Sequence, residues 1–226
     1  MHAAGAPPVT ASPSKWPYES KEVFKDWHYL EKDWRRYFDD GTESFTGKVV
    51  LEVGRGAGNT IFPLIATFPK LYIHECDFSP KAITLVKSHA NYNAEKMNVF
   101  VCDAAKDDLC VTVMPFTVDI VTLTSEGSVL ENCKQVLKPN GHIILRDYAV
   151  GDSAQVKLRS QMISENFYFL GDGTCSFYFS ETYTSTLFQN VGFAIVDINT
   201  YCKEIMNHSR NINMQRRWIR GIVVRS

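Results

Sequence analysis

Lys48-Val49-Val50-Leu51-Glu52-Val53-Gly54-Arg55-Gly56-Ala57-Gly58-Asn59 decides how the rest of this 226-residue chain is read. Val49 to Val53 is a short apolar run rich in β-branched residues, the composition of a strand buried on both faces of a parallel sheet. Gly54, Gly56 and Gly58 follow at every second position, and Asn59-Thr60 lead into a helical segment, Ile61 to Phe68. A strand, a glycine-rich turn and a helix start together make a cradle for a nucleotide-like ligand. The glycines let backbone approach it, and the free N–H groups attract its polar atoms. A dinucleotide fingerprint, G-x-G-x-x-G, would need glycine where Asn59 stands, which disfavours a nicotinamide oxidoreductase.

Outward from that stretch, the length suits one α/β domain with short attachments. Residues 1–20 read as a flexible tail, 21–46 as an amphipathic helical lead-in and 47–226 as the domain. In the lead-in, Phe24, Trp27, Leu30, Trp34 and Phe38 recur at helical steps; Trp27 and Trp34 are packing residues or an aromatic wall for a base. A hydrophobic fraction of 45% argues for a folded globule, and a net charge of −1 gives no global nucleic-acid signature. No run approaches the ~18 apolar residues of a membrane span. Met1 to Ser14 lacks an apolar core or arginine cluster, so no targeting segment is expected, and the cytoplasm, with the nucleus as alternative, is the expected compartment. Six scattered cysteines form no C-x-x-C pair, and no metal is expected.

Downstream, Leu71 to Cys76 reads as a second strand ending at Asp77, nineteen residues beyond Gly58. A Rossmann-like domain places an acid there to accept ribose hydroxyls. Ser79-Pro80 cap and open a helix to His89. Met97 to Cys102 is a third strand ending at Asp103-Ala104, and Val118 to Leu123 a fourth. A helix over 125–137 follows, then a Lys138-Pro139-Asn140-Gly141 turn and a fifth strand, His142 to Arg146. This order predicts a doubly wound, Rossmann-like, mainly parallel α/β sheet with helices on both faces. Asn166 to Leu170 and Ser176 to Phe179 read as a hairpin around Gly171–Thr174. Ser180 begins a helix to Asn190 with Gly192 as its stop, and Phe193 to Ile198 and Gln215 to Val224 are the final antiparallel strands, seven in the main sheet.

The pattern Glu52-x-Gly54-x-Gly56-x-Gly58 resembles motif I of the class I methyltransferases that use S-adenosylmethionine. The resemblance implies that Glu52 helps hold the methionine end of the cofactor and that Gly54, Gly56, Gly58 and Asn59 pass under its sulfonium-bearing portion. Asp77 with Phe78 would meet the ribose side, Asp103 and Ala104 the adenine, and Leu123 the cofactor pocket.

A closer match rests on Phe-Lys-Asp-x-His at 24–28, Leu-Glu-Val-Gly-x-Gly-Ala-Gly-Asn-x-x-Phe-Pro-Leu at 51–64 and Cys-Asp-Phe-Ser-Pro at 76–80. Cys-Asp-x-x-Lys-Asp-Asp-Leu at 102–109, Arg-Asp-Tyr at 146–148, Glu-Asn-Phe-Tyr at 165–168 and Asp-Gly-Thr at 172–174 complete it. Together they resemble the methyltransferase-like family that makes 3-methylcytidine in the anticodon loop of transfer RNA. That implies tRNA as partner, serine or threonine acceptors first, with a synthetase or other protein adaptor as a further partner. It makes Asp147, Tyr148 and Asp172 the catalytic candidates, and Arg146 and Tyr168 RNA contacts. Lys203, Arg210, Arg216, Arg217, Arg220 and Arg225 face a single acid, Glu204; the cluster suits a phosphate backbone or is a solvated face.

Four features depart from the family pattern. Arg55 replaces a small residue, the segment between Leu123 and Val129 is short, Leu170 and Cys175 replace arginines, and the aromatic helix upstream of Phe24 is reduced to Lys15-Trp16-Pro17-Tyr18. They keep open the alternative of a methyltransferase-fold module that binds RNA or a partner without transferring a methyl group.

Overall fold

A computed structural model of the protein describes residues 46–226 apart from 55, 57, 124–127, 158, 170–174 and 208–210. The expected tail, almost all of the lead-in with Trp27 and Trp34, and Lys15–Tyr18 lie outside the described residues, as do Arg55, Leu170, Asp172 and Arg210.

In chain order the elements are β1 (Val49–Val53), α1 (Ile61–Thr67), β2 (Tyr72–Asp77), α2 (Pro80–Ser88), β3 (Met97–Val101), β4 (Val118–Leu123), α3 (Ser128–Val136) and β5 (Leu137–Tyr148). Then come α4 (Ser153–Lys157), β6 (Met162–Ser164), β7 (Phe167–Phe169), β8 (Cys175–Phe177), α5 (Glu181–Asn190), β9 (Phe193–Asn207) and β10 (Ile212–Arg225). The seven-stranded sheet runs β3-β2-β1-β4-β5-β10-β9. β3, β2, β1, β4 and β5 are parallel neighbours, and β10 is antiparallel to β5 and β9.

The apolar strands are buried on both faces, as their composition required. Leu51, Val53, Val121, Leu123, Ile143 and Leu145 pack with Leu130, Cys133 and Val136 of α3 and Phe188 of α5. Val50, Ile73, Ile120 and Ile144 pack on the other face with Ile61 and Leu64 of α1 and Ile83 and Val86 of α2. Ser79 caps α2, accepting from Ala82 N, with Pro80 at its first turn. Ser180 caps α5 in the same way, and Gly192 (φ +80°) releases the chain from it.

Three expectations are corrected. Lys138–Gly141 is not a separate turn but lies within β5, where Val118 pairs with Leu137 and then Ile120 with His142. Asn140 takes a left-handed φ of +62°, so the turn chemistry is real but forms an irregularity inside a continuous strand. The last two strands are longer than predicted, because their pairing continues past Ile198 to Asn207. The aromatic hairpin of β7 and β8 gains a third strand, β6, in a small separate sheet.

The strand order reverses between β1 and β4, on either side of which the chain goes to opposite edges. Such a switch point leaves a crevice at the carboxyl ends of the strands. Cys76, Val53, Leu123, Leu145 and Gly221 form one row across β2, β1, β4, β5 and β10. Gly54, Asp77 and Arg146–Tyr148 therefore all emerge at the same sheet end, and Gly54 and Arg146 are separated by two strand spacings, about 10 Å.

Candidate active site

Gly54, Gly56 and Gly58 have φ of +73°, +72° and +76°, a conformation that side chains with a Cβ rarely adopt. A Cβ at Gly54 or Gly56 would meet none of the described residues within 4 Å, whereas one at Gly58 would lie 2.6 Å from the Phe62 ring. The first two glycines thus present backbone to a ligand, and the third lets the turn close on α1. Asn59 follows, half-buried, at the approach to α1.

Asp77, buried at the end of β2, braces this turn. Its Oδ2 accepts from Gly56 N at 3.0 Å and its Oδ1 from Ser79 N at 2.8 Å. Each carboxylate oxygen has a second lone-pair site for a hydroxyl donor. Phe78, the next residue, is 73% exposed. Glu52 is fully buried on β1, in register with Glu75 of β2 and Thr122 of β4. Burial, then the charges of Glu52 and Asp77, push the Glu75 carboxyl up to about 9.

On the β3 side, Lys106 Nζ donates to Asp103 Oδ2 at 2.8 Å, and this hydrogen bond holds the Asp103 carboxyl below its ordinary value. Asp103 Oδ1 accepts from Ala105 N, and Asp103 N donates to Asp107 Oδ2. Asn132 of α3 ties the loop down by donating to Ala104 O at 2.9 Å and Asp107 O at 2.8 Å. Ala104 is buried, and so is Leu123, which packs in the core under the crevice.

Arg146, Asp147 and Tyr148 close β5. Asp147 Oδ1 accepts from Tyr148 N at 2.7 Å, and Arg146 lies over the Trp218 ring. Tyr148 stacks with Tyr178, which meets Tyr168 edge-on; Tyr168 is buried, and its hydroxyl accepts from Gln155. Burial, followed by the charge of Asp152, raises the Tyr178 hydroxyl to about 12, so it remains a donor at neutral pH. The structure thus groups Asp147, Tyr148 and Tyr168 with Tyr178 beside the crevice.

Within the described part of the basic cluster, Lys203 lies opposite Arg216 in the β9–β10 ladder and Arg220 opposite Arg146 in the β10–β5 ladder, but the arginines are engaged within the protein. Arg216 pairs with Asp152 (Nε to Oδ2, 2.9 Å), Arg220 pairs with Asp197, and Arg225 donates to Lys134 O and Leu137 O at the end of α3. Arg217 packs against Gly151 and donates its backbone N–H to Asp152. Lys203, opposite Arg216 in the β9–β10 ladder, is exposed. Among residues the sequence reading missed, Tyr178 touches both Tyr148 and Tyr168, Gln155 donates to Tyr168, and Asp152 holds Arg216 beside Tyr148. An aspartate immediately before a short polar helix is an N-cap signal that could have drawn attention to Asp152.

The cradle, the buried carboxylates and the exposed ring fit S-adenosylmethionine by the chemistry of their donors and by the room that the described residues leave at Gly54 and Gly56. A family profile described as a methyltransferase domain matches residues 51–143. The chain is 34% identical to the tRNA N(3)-methylcytidine methyltransferase trm141 of Schizosaccharomyces pombe, over 88% of this chain and 85% of that protein. It is 36% identical to the tRNA N(3)-cytidine methyltransferase METTL6 of Homo sapiens, over 87% and 73%. A crystal structure of a SAM-dependent methyltransferase from Methanosarcina mazei superposes with a TM-score of 0.61 at 16% identity, covering 79% of this chain and 92% of that one.

Proposed function

The chain belongs to the family of tRNA N(3)-cytidine methyltransferases, and on that premise we propose that it methylates N3 of a cytosine in the tRNA anticodon loop. It is an S-adenosylmethionine-dependent enzyme; the cofactor supplies an electrophilic methyl group on a sulfonium. Glu52, the glycine turn, Asp77 with Phe78, and the Asp103–Ala104 loop would hold the methionine, ribose and adenine portions in that order.

Cytosine N3 carries a lone pair at neutral pH, so no proton has to be removed before attack. Positioning then dominates, and holding two reactants in line can contribute about 7–11 kcal/mol. In this proposal Tyr148 contacts the base, supported by its stacking with Tyr178, which meets Tyr168 edge-on. Asp147 supplies negative charge at the end of β5, where the methylated base becomes cationic. Asp172 is the second carboxylate in this proposal. A loop nucleotide is reached cheaply because it is readily unstacked. Serine and threonine tRNAs are the first substrates to test, with and without their synthetases, and the cytoplasm or nucleus is the setting proposed. Among the described residues no helix is long and apolar enough to cross a membrane.

The observation that carries this reading is the placement of Arg146-Asp147-Tyr148 at the same sheet end as the glycine turn. The binding-module alternative is not favoured, because the relatives over most of the chain are methyltransferases by name. The test is labelled methyl transfer from S-adenosylmethionine to undermodified tRNA. Label in serine or threonine transcripts supports the proposal; label in protein only would refute it.

A further inference from the structure

The segment Gly151–Gln155 reaches Tyr148 through Asp152 and Arg216, and Tyr168 through Gln155. Asp152 is fully buried, and its carboxylate accepts three hydrogen bonds: Oδ1 from Ala154 N at 2.8 Å, and Oδ2 from Arg216 Nε at 2.9 Å and Arg217 N at 2.7 Å. The Arg216 guanidinium so held lies 5.0 Å from the centre of the Tyr148 ring and 5.5 Å from that of Trp218. Three residues on, Gln155 accepts from Gly151 N at 2.7 Å and donates to Asn166 Oδ1 at 3.2 Å and Tyr168 Oη at 3.3 Å. Tyr168 meets Tyr178, whose ring stacks 5.8 Å from Tyr148. Two chains of contact leave one short segment and converge on Tyr148.

We propose that Asp152 is a positioning residue of the methyl-transfer site, acting through Arg216 on Tyr148, with Gln155 bracing the same ring through Tyr168 and Tyr178. This rests on the reading of Tyr148 as a contact of the target base. Arg216 is then not a phosphate ligand: drawing it out to RNA would leave the Asp152 carboxylate buried without its charge partner. The pair also solves an electrostatic problem. A bare guanidinium beside the base pocket would oppose the positive charge that develops on the cytosine ring, and the adjoining carboxylate offsets it. Asp152 to Asn keeps the shape and one acceptor oxygen but removes the charge and loosens the hold on Arg216.

The test is a double-mutant cycle measured by steady-state methyl transfer to tRNA, with D152N in the wild-type and Y148A backgrounds and the cofactor product Kd measured beside it. Geometric displacement at a reacting centre can cost about 100-fold. The expected result is a kcat for D152N lower by about 10- to 100-fold, with tRNA KM, cofactor Kd and salt slope unchanged, and a loss of less than about threefold in Y148A. Equal losses in both backgrounds would mean a purely structural role and overturn the proposal. So would an effect confined to KM with a shallower salt dependence, which marks a phosphate contact. If D152N does not fold, Arg216→Gln runs the same cycle. A wild-type chain that transfers nothing overturns the enzymatic reading itself, and is told apart by that control alone.

Discussion

Glu75 on β2 lies directly across the ladder from Glu52 on β1, and both side chains are closed off from solvent. Burial first, and the neighbouring acids second, raise the Glu75 carboxyl to about 9, against an ordinary value of 4.5. The folded state therefore holds a proton that the unfolded chain releases above 4.5. This group favours folding fully below that pH, and the advantage is lost as pH rises toward 9. Glu75→Gln should remove the dependence and exceed the wild type in stability by on the order of 3 kcal/mol at pH 7, the curves meeting near pH 4.5. Thermal melts across pH 5–9 check this; parallel curves would contradict it.

Gly56 and Gly58 share the same left-handed backbone, but among the described residues only Gly58 faces a ring. Gly56→Ala should lose roughly 1–2 kcal/mol from backbone strain alone. Gly58→Ala adds the collision with Phe62, a further ~1–3 kcal/mol typical of overpacking. Denaturant unfolding of the two variants separates them, and equal losses would mean that Phe62 swings aside freely.

Asp77 holds Gly56 N and Ser79 N while offering its remaining lone pairs to a ribose. Asp77→Ala should weaken S-adenosylhomocysteine binding by at least about tenfold, since hydrogen bonds to a charged group contribute about 1.5–3 kcal/mol. Calorimetric titration reads this directly, and an unchanged affinity would remove Asp77 from the cofactor site.

Most of the fold was legible because its strands are short apolar runs and its helices carry ordinary caps at Ser79 and Ser180. The glycine turn with Asp77 was legible for the same reason, that backbone geometry demands those residue types. What stayed hidden depends on tertiary partners. β9 runs on through Asn199, Lys203 and Glu204 because β10 pairs with it, not because those residues favour a strand. α4 and β6 are too short to have a period. Charge in sequence does not reveal its own pairing: Arg216, Arg220 and Arg225 sit near one another on β10, and each is engaged by a different part of the protein.

That pairing makes a prediction about RNA. Lys203 is exposed, whereas Arg220 is paired with Asp197. Lys203→Ala should weaken tRNA binding and flatten its salt dependence by a slope of about 1, while Arg220→Ala should leave the slope alone. Binding isotherms at several salt concentrations decide between them; a slope lost only with Arg220→Ala would reverse the assignment.

The most direct measurement is nucleoside mass spectrometry of undermodified tRNA incubated with the purified protein and S-adenosylmethionine. Appearance of 3-methylcytidine, absent when the cofactor is omitted, is the predicted result. A folded protein that binds cofactor and tRNA but forms no 3-methylcytidine would contradict the account.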